Sequence, residues 1–158
     1  MKKFMITTQF VKKFIILIIF VALLHHLDHV LRYDHSGWPF RADPHVPGTH
    51  LVTPFTYSLL VYPLLISLLF VRNKAYRLTV AIALAIFVVG AHAFLELPSH
   101  QYDTWAHDSS PYGHLKGHPN VLHLASPLVG VLAAGWSLFL DVLALLLPFV
   151  IFKERPAK

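Results

Sequence analysis

His25 and His29 stand four residues apart in this sequence, and so do His92 and Glu96. Four residues is about one helical turn, so each pair shares a helix face. His50 and His123 each open the same short string, His-Leu-x-(Thr/Ser)-Pro. Asp28 lies inside the first cluster, His25-His26-Leu27-Asp28-His29. Imidazole and carboxylate donors on facing helices are the ligands that zinc, copper(II) and non-haem iron accept. Cysteine is absent, so a metal ion would be held by His, Asp, Glu, backbone or water. The candidate ligands are therefore His25, His29, His50, His92 and His123. A catalytic zinc takes three protein ligands and a water, with a carboxylate as base. His29, His92 and His123 could supply the ligands and Glu96 the base. Asp28 is the second candidate catalytic carboxylate, or it orients an imidazole from behind.

These residues must be positioned by membrane helices. The chain has 158 residues, of which 56% are hydrophobic and only 13% charged. Soluble domains carry about 25% charged residues. The apolar residues fall in four long blocks, which predict helices at about 14–33, 54–71, 78–97 and 127–152. Each block reaches the ~18 residues that cross a ~30 Å hydrocarbon core. A membrane barrel would show short alternating segments instead. The expected fold is all-α: one domain forming an integral membrane four-helix bundle, with two long loops at about 34–53 and 98–126.

The net charge of +5 orients this bundle. Lys2, Lys3, Lys12 and Lys13 precede the first helix. Arg72, Lys74 and Arg77 fill the turn between the second and third, and Lys153, Arg155 and Lys158 follow the fourth. The positive-inside rule then places both termini in the cytoplasm and both long loops outside, in a cell membrane such as a bacterial inner membrane. The basic charge is spent on topology, and no nucleic-acid partner is expected. The segment from Met1 to Leu24 has the outline of a signal peptide but runs directly into His25, so it reads as an uncleaved first helix.

The two His-Leu-x-(Thr/Ser)-Pro strings sit where the loops re-enter the membrane. Thr53 and Ser126 are expected to cap the second and fourth helices, with Pro54 and Pro127 at the first helical position. The match suggests two repeated helical hairpins, although capping alone explains its Ser/Thr-Pro part. Counted at 1.5 Å per residue, His29, His50, His92, Glu96 and His123 fall within roughly 10 Å of one level, with His25 and His26 about a turn deeper. Asp28 and Arg32 are expected to pair. Asp141, alone in the inner half of the fourth helix, is expected to bond Ser67 or Tyr62, or to belong to a proton path. The loop histidines His35, His45, His100, His107, His114 and His118 form a looser polar layer above.

The functional expectation is a metal-binding membrane protein with its site at the outer face. Zinc is the first choice of ion, iron and copper the alternatives, and a lipid or small hydrophobic molecule the natural substrate. Three other readings use the same residues. One is metal handling or transport, which implies a homo-oligomer or a membrane-protein partner. Another is electron transfer through haem held by His26 or His29 with His92. The last is an accessory subunit of a membrane complex. The string His25-His26-Leu27-Asp28-His29 resembles one histidine box of the membrane desaturase and hydroxylase family. That resemblance spans five residues, the family's other boxes are absent, and it implies no membership.

Overall fold

The computed structural model describes residues 5–32, 57–111 and 116–155. Among them the chain forms five helices: α1 (Thr8–Arg32), α2 (Val61–Phe70), α3 (Lys74–Phe94), α4 (Pro98–His107) and α5 (Pro127–Phe152). No strand occurs among the described residues, and a single isolated bridge joins Ile6 to Glu154. Three helices are long and apolar enough to cross a membrane, namely α1, α3 and α5. Each buries one narrow face. Val11, Ile15, Ile18, Ala22 and His25 mark that face in α1, at the three- and four-residue steps of a helix. Ile16, Phe20, Leu23 and Leu27 stay exposed on the other side. A water-soluble bundle would not leave such a face bare; a bundle in lipid does.

Local chemistry moves several boundaries from those expected. The first helix begins at Thr8, not near residue 14, because Thr7 Oγ1 accepts from the Phe10 N–H at 3.2 Å and so caps it. The third begins at Lys74 rather than 78, because Asn73 Oδ1 accepts from Tyr76 N at 3.0 Å. It ends at Phe94 rather than 97. Pro98 disfavours helical geometry in the residue before it, and Leu97 is extended, with φ −61° and ψ 143°. The fourth apolar block is α5 with the expected ends. Ser126 Oγ accepts from Val129 N at 3.4 Å, and Pro127 sits in the first turn.

Among its described residues the second block is helical at 57–58, turns at 59–60 and continues as a regular helix over Val61–Phe70. Pro63 has no N–H for the carbonyl of Leu59, which instead accepts from Tyr62 N at 3.2 Å. The expected cap at Thr53 and Pro54, the loop at 34–53 and His50 lie outside the described residues.

The main correction concerns the loop expected at 98–126. It contains a helix, α4. The helices α3 and α5 run antiparallel: Lys74 Nζ donates to the Phe152 carbonyl at 2.9 Å at one end, while His92 meets Asp141 further along. At 1.5 Å per residue α3 is ~31 Å long and α5 ~39 Å. The helix α4 covers the remainder of α5. Gln101 bonds Ser137, Tyr102 lies over Gly130, and the Trp105 carbonyl accepts from Ser126 N. As α4 advances its partners on α5 recede, so α4 continues the antiparallel course of α3 after a break at 95–97. Beyond it, Asn120 organises the return. Its Oδ1 accepts from Leu122 N and Leu124 N, both at 3.1 Å, and Val121 N donates to the Leu31 carbonyl at 3.0 Å.

Close approach of α4 to α5 depends on Gly130. A Cβ there would lie 2.7 Å from the Tyr102 carbonyl oxygen, a backbone atom that cannot rotate away. Gly130→Ala is expected to destabilise the protein by about 1–3 kcal/mol. Gly135→Ala meets nothing within 4 Å and is expected to be neutral, or stabilising by up to ~1 kcal/mol. Unfolding of both variants in detergent micelles checks the contrast, and equal effects at the two positions would contradict the packing described.

Candidate functional site

The polar residues of α1 do not form one cluster. They divide among three sets of partners, each set by the face they occupy. Asp28 and Arg32, one turn apart, pair through Arg32 Nε and Asp28 Oδ2 at 2.6 Å, as expected from their spacing. Arg32 is fully buried, and its Nη2 also pairs with Glu96. His29 Nε2 lies 3.4 Å from the other oxygen of Glu96. Trp105 of α4 donates its indole N–H to Asp28 Oδ1 at 2.8 Å. Glu96, in the break after α3, is therefore shared between a guanidinium and an imidazole.

His26 faces α2. Its Nδ1 lies 2.9 Å from the Ala22 carbonyl and 2.7 Å from Tyr62 Oη, and its Nε2 lies 2.7 Å from Ser58 Oγ. Tyr62 is thereby engaged by His26 rather than by Asp141. Ser67, the other expected partner of Asp141, donates to the Leu64 carbonyl and contacts Tyr76 Oη.

His25 points into the bundle and meets His92. Their Nε2 atoms are 3.2 Å apart, and the rings contact edge to face with centroids 4.8 Å apart. Behind His92, Nδ1 lies 2.7 Å from Asp141 Oδ1. Behind His25, Nδ1 lies 3.1 Å from Ser137 Oγ, and Ser137 in turn donates to Gln101 Oε1 at 2.5 Å. A continuous chain, Asp141–His92–His25–Ser137–Gln101, thus crosses from α5 to α3 to α1, back to α5, and on to α4. His25, His92, Ser137 and Gln101 are all buried.

The polarity of this chain follows from its two ends. An ionised carboxylate only accepts, so His92 Nδ1 carries the hydrogen toward Asp141. The hydroxyl hydrogen of Ser137 is committed to Gln101, so Ser137 Oγ accepts from His25 Nδ1. Each neutral imidazole then has its lone pair on Nε2, and the two lone pairs face each other across 3.2 Å. Such a contact is repulsive unless a cation lies between the nitrogens. Charge balance points the same way. Among the described residues of this network, the three carboxylates Asp28, Glu96 and Asp141 stand against one guanidinium, that of Arg32.

Of the remaining expected ligands, His29 lies against Glu96 and His50 is outside the described residues. His123 has a left-handed backbone, φ 49°, and its side chain is 74% exposed, 3.8 Å from Asp108. It does not join His25 and His92. His107 pairs loosely with Asp103 on α4. Among the described residues no three His, Asp or Glu side chains converge as a complete metal-binding group. The spacing argument missed Asp141, Ser137 and Gln101 as members of the central chain. An available signal was the step of four from Gln101 to Trp105, which places both on the inner face of α4. A cleft of about 220 Å³ on the side of the bundle reaches His25 and Asp28 and is otherwise lined by Leu24, Val129, Leu132, Ala133 and Trp136.

Arg32→Met leaves Asp28 and Glu96 without their cation in a buried setting. It is expected to lower stability by about 3–5 kcal/mol, read as loss of the folded fraction in thermal melts in detergent. An unaltered melt would remove Arg32 from the account of how this end is held. Comparison of the chain with protein-family models, with curated proteins and with solved structures returned no match.

Proposed function

We propose that this chain is an integral membrane protein that binds a divalent metal ion between His25 and His92. The observation that carries the proposal is the facing pair of Nε2 atoms at 3.2 Å, each ring tied behind by its Nδ1. Two imidazole nitrogens on one tetrahedral zinc, at ~2.0–2.1 Å each, lie about 3.3 Å apart. Ligands at a right angle on one ion would lie about 2.9 Å apart at the same bond length. The 3.2 Å separation is within a few tenths of an ångström of what a tetrahedral ion such as zinc needs. Asp141 behind His92, rather than Asp28, would supply the carboxylate of a carboxylate–histidine–metal arrangement. One divalent ion would also balance the two carboxylates that Arg32 leaves uncompensated.

A bound ion there would supply Lewis acidity, and the side cleft gives a route to it through apolar walls. A substrate arriving by that route is a lipid or another hydrophobic molecule, because a hydrated solute would lose its water on the way. Glu96 is held between Arg32 and His29, close to the same end of the bundle. The haem alternative draws no support from the contacts. His26 is engaged by Ser58 and Tyr62, and His29 by Glu96.

Four crossings, with both termini in the cytoplasm, complete the proposal. Lys12, Lys13, Arg72, Lys74, Lys153 and Arg155 gather at the end of the bundle where Ile6 and Glu154 meet, and the described histidines lie toward the opposite end.

Elemental analysis of protein purified from zinc-supplied membranes is expected to give one zinc per chain. His25→Ala and His92→Ala should abolish this stoichiometry, and Asp141→Asn should weaken binding roughly 10–100-fold. Unchanged zinc in both histidine variants would rule out the site. Topology has its own check, because the chain lacks cysteine. In intact cells Lys116→Cys should react with a membrane-impermeant maleimide and Arg155→Cys should not; the reverse pattern would invert the orientation.

A further inference from the structure

We infer that Gln101 is a positioning residue for the His25–His92 metal site. Acting through Ser137, its amide oxygen holds the His25 imidazole in the tautomer that leaves Nε2 free for the ion. The inference rests on the metal-binding reading above and adds to it a residue of α4, outside the long apolar helices.

Gln101 is fully buried and meets Ser137 with its oxygen, at 2.5 Å. Its Nε2 is also buried and has no hydrogen-bond partner among the described residues. A buried amide with one end bare is unusual, and a specific instance calls for an explanation. Turning the amide over shows what its orientation controls. Nε2 would then donate to Ser137 Oγ. The hydroxyl hydrogen of Ser137 would turn to His25 Nδ1, which would become an acceptor. The single hydrogen of the neutral His25 ring would sit on Nε2, pointing at His92 and occupying the lone pair that an ion needs. With the amide as it stands, the sequence of donors runs the other way. His25 donates from Nδ1 to Ser137, Ser137 donates to Gln101, and Nε2 is left as a base.

Asp141 performs the same service for His92 without ambiguity, because a carboxylate has no hydrogen to offer. Ser137 is ambiguous by itself, since a hydroxyl both donates and accepts. Gln101 removes that ambiguity, so the two imidazoles present matched lone pairs. The packing of α4 against α5 delivers it: Tyr102 seats on Gly130 and the Trp105 carbonyl holds Ser126, and between these contacts and the break at 95–97 Gln101 reaches Ser137.

Two substitutions separate this role from simple packing. Gln101→Glu keeps the shape and offers only acceptor oxygens when ionised, so Ser137 still donates. Gln101→Leu keeps much of the volume and offers nothing. Zinc affinity, measured by competition with a chromophoric chelator on full-length protein in detergent, is expected to stay near wild type or tighten in Gln101→Glu. In Gln101→Leu it should fall roughly tenfold or more, as for other residues that act behind a ligand. A residue that only fills space gives near-wild-type affinity in Gln101→Leu, because the cost of burying its side chain falls equally on the metal-free and metal-bound protein. Nitrogen-15 spectra of the imidazoles in metal-free protein add a readout independent of affinity and of added charge. His25 should carry its hydrogen on Nδ1 in Gln101→Glu and shift toward the Nε2–H form in Gln101→Leu. Wild-type affinity in Gln101→Leu, or weaker binding in Gln101→Glu than in Gln101→Leu, overturns the inference while zinc binding by wild type keeps the metal reading. Failure of wild type to bind zinc overturns both.

Discussion

Asp141 lies well inside α5, and the rest of the polar end is arranged around the need to partner it. Insertion of a carboxylate near the middle of a membrane helix costs ~2.5–3.5 kcal/mol, which no apolar neighbour can offset. His92 of α3 meets that need, and in doing so fixes the register of α3 on α5. The second nitrogen of His92 must then be satisfied, and His25 of α1 is what faces it. One buried charge thus ties three helices together through side chains of specific polarity, where apolar contacts alone would leave their rotation and sliding weakly determined.

A second buried charge organises the neighbouring layer. Arg32 ends α1 inside the protein, and Asp28 and Glu96 close around it. Glu96 can reach because α3 stops at Phe94 and the chain turns before Pro98. An unbroken third helix would carry Glu96 on a continuous face and leave no α4 to cover the site. The break therefore has a consequence beyond local geometry. It frees a short polar helix to pack on α5, and that helix brings Trp105 to Asp28 and Gln101 to Ser137. The polar end is an enclosed layer rather than an open rim.

The long apolar blocks make α1, α3 and α5 readable in the sequence, and the Ser126-Pro127 start of α5 is readable from capping chemistry. Hydropathy gave no sign of α4, because Pro98–His107 is polar and its inner face carries Gln101 and Thr104 beside Trp105. Depth counting along each helix misplaced Asp141. It treated side chains as lying level with their own backbone, whereas helical side chains lean toward the helix N-terminus. On antiparallel helices the lean of His92 and that of Asp141 are toward each other, which closes a gap that the count along the backbones leaves open. His123 was placed at the rim by its string, and its left-handed backbone turns it instead toward Asp108. Neither an antiparallel lean nor a left-handed non-glycine residue can be read from spacing.

The proposed metal ion and a lone proton are the two cations that could lie between His25 and His92, and the surroundings treat them differently. A proton makes one imidazolium and balances Asp141, but Glu96 then still needs a second proton, on His29. A divalent ion supplies both charges at one point. The two orienting groups serve either cation. A proton shared between the two Nε2 atoms leaves a hydrogen on each Nδ1, as a metal ion does, so His25 must donate to Ser137 in both cases. A metal ion needs both Nε2 lone pairs at once, and that demands a fixed direction on each side. Asp141 fixes it behind His92, and Gln101 fixes it behind Ser137 at the expense of a bare Nε2. The count of charges, and not the Gln101 contact, is therefore what separates an ion from a proton at this site.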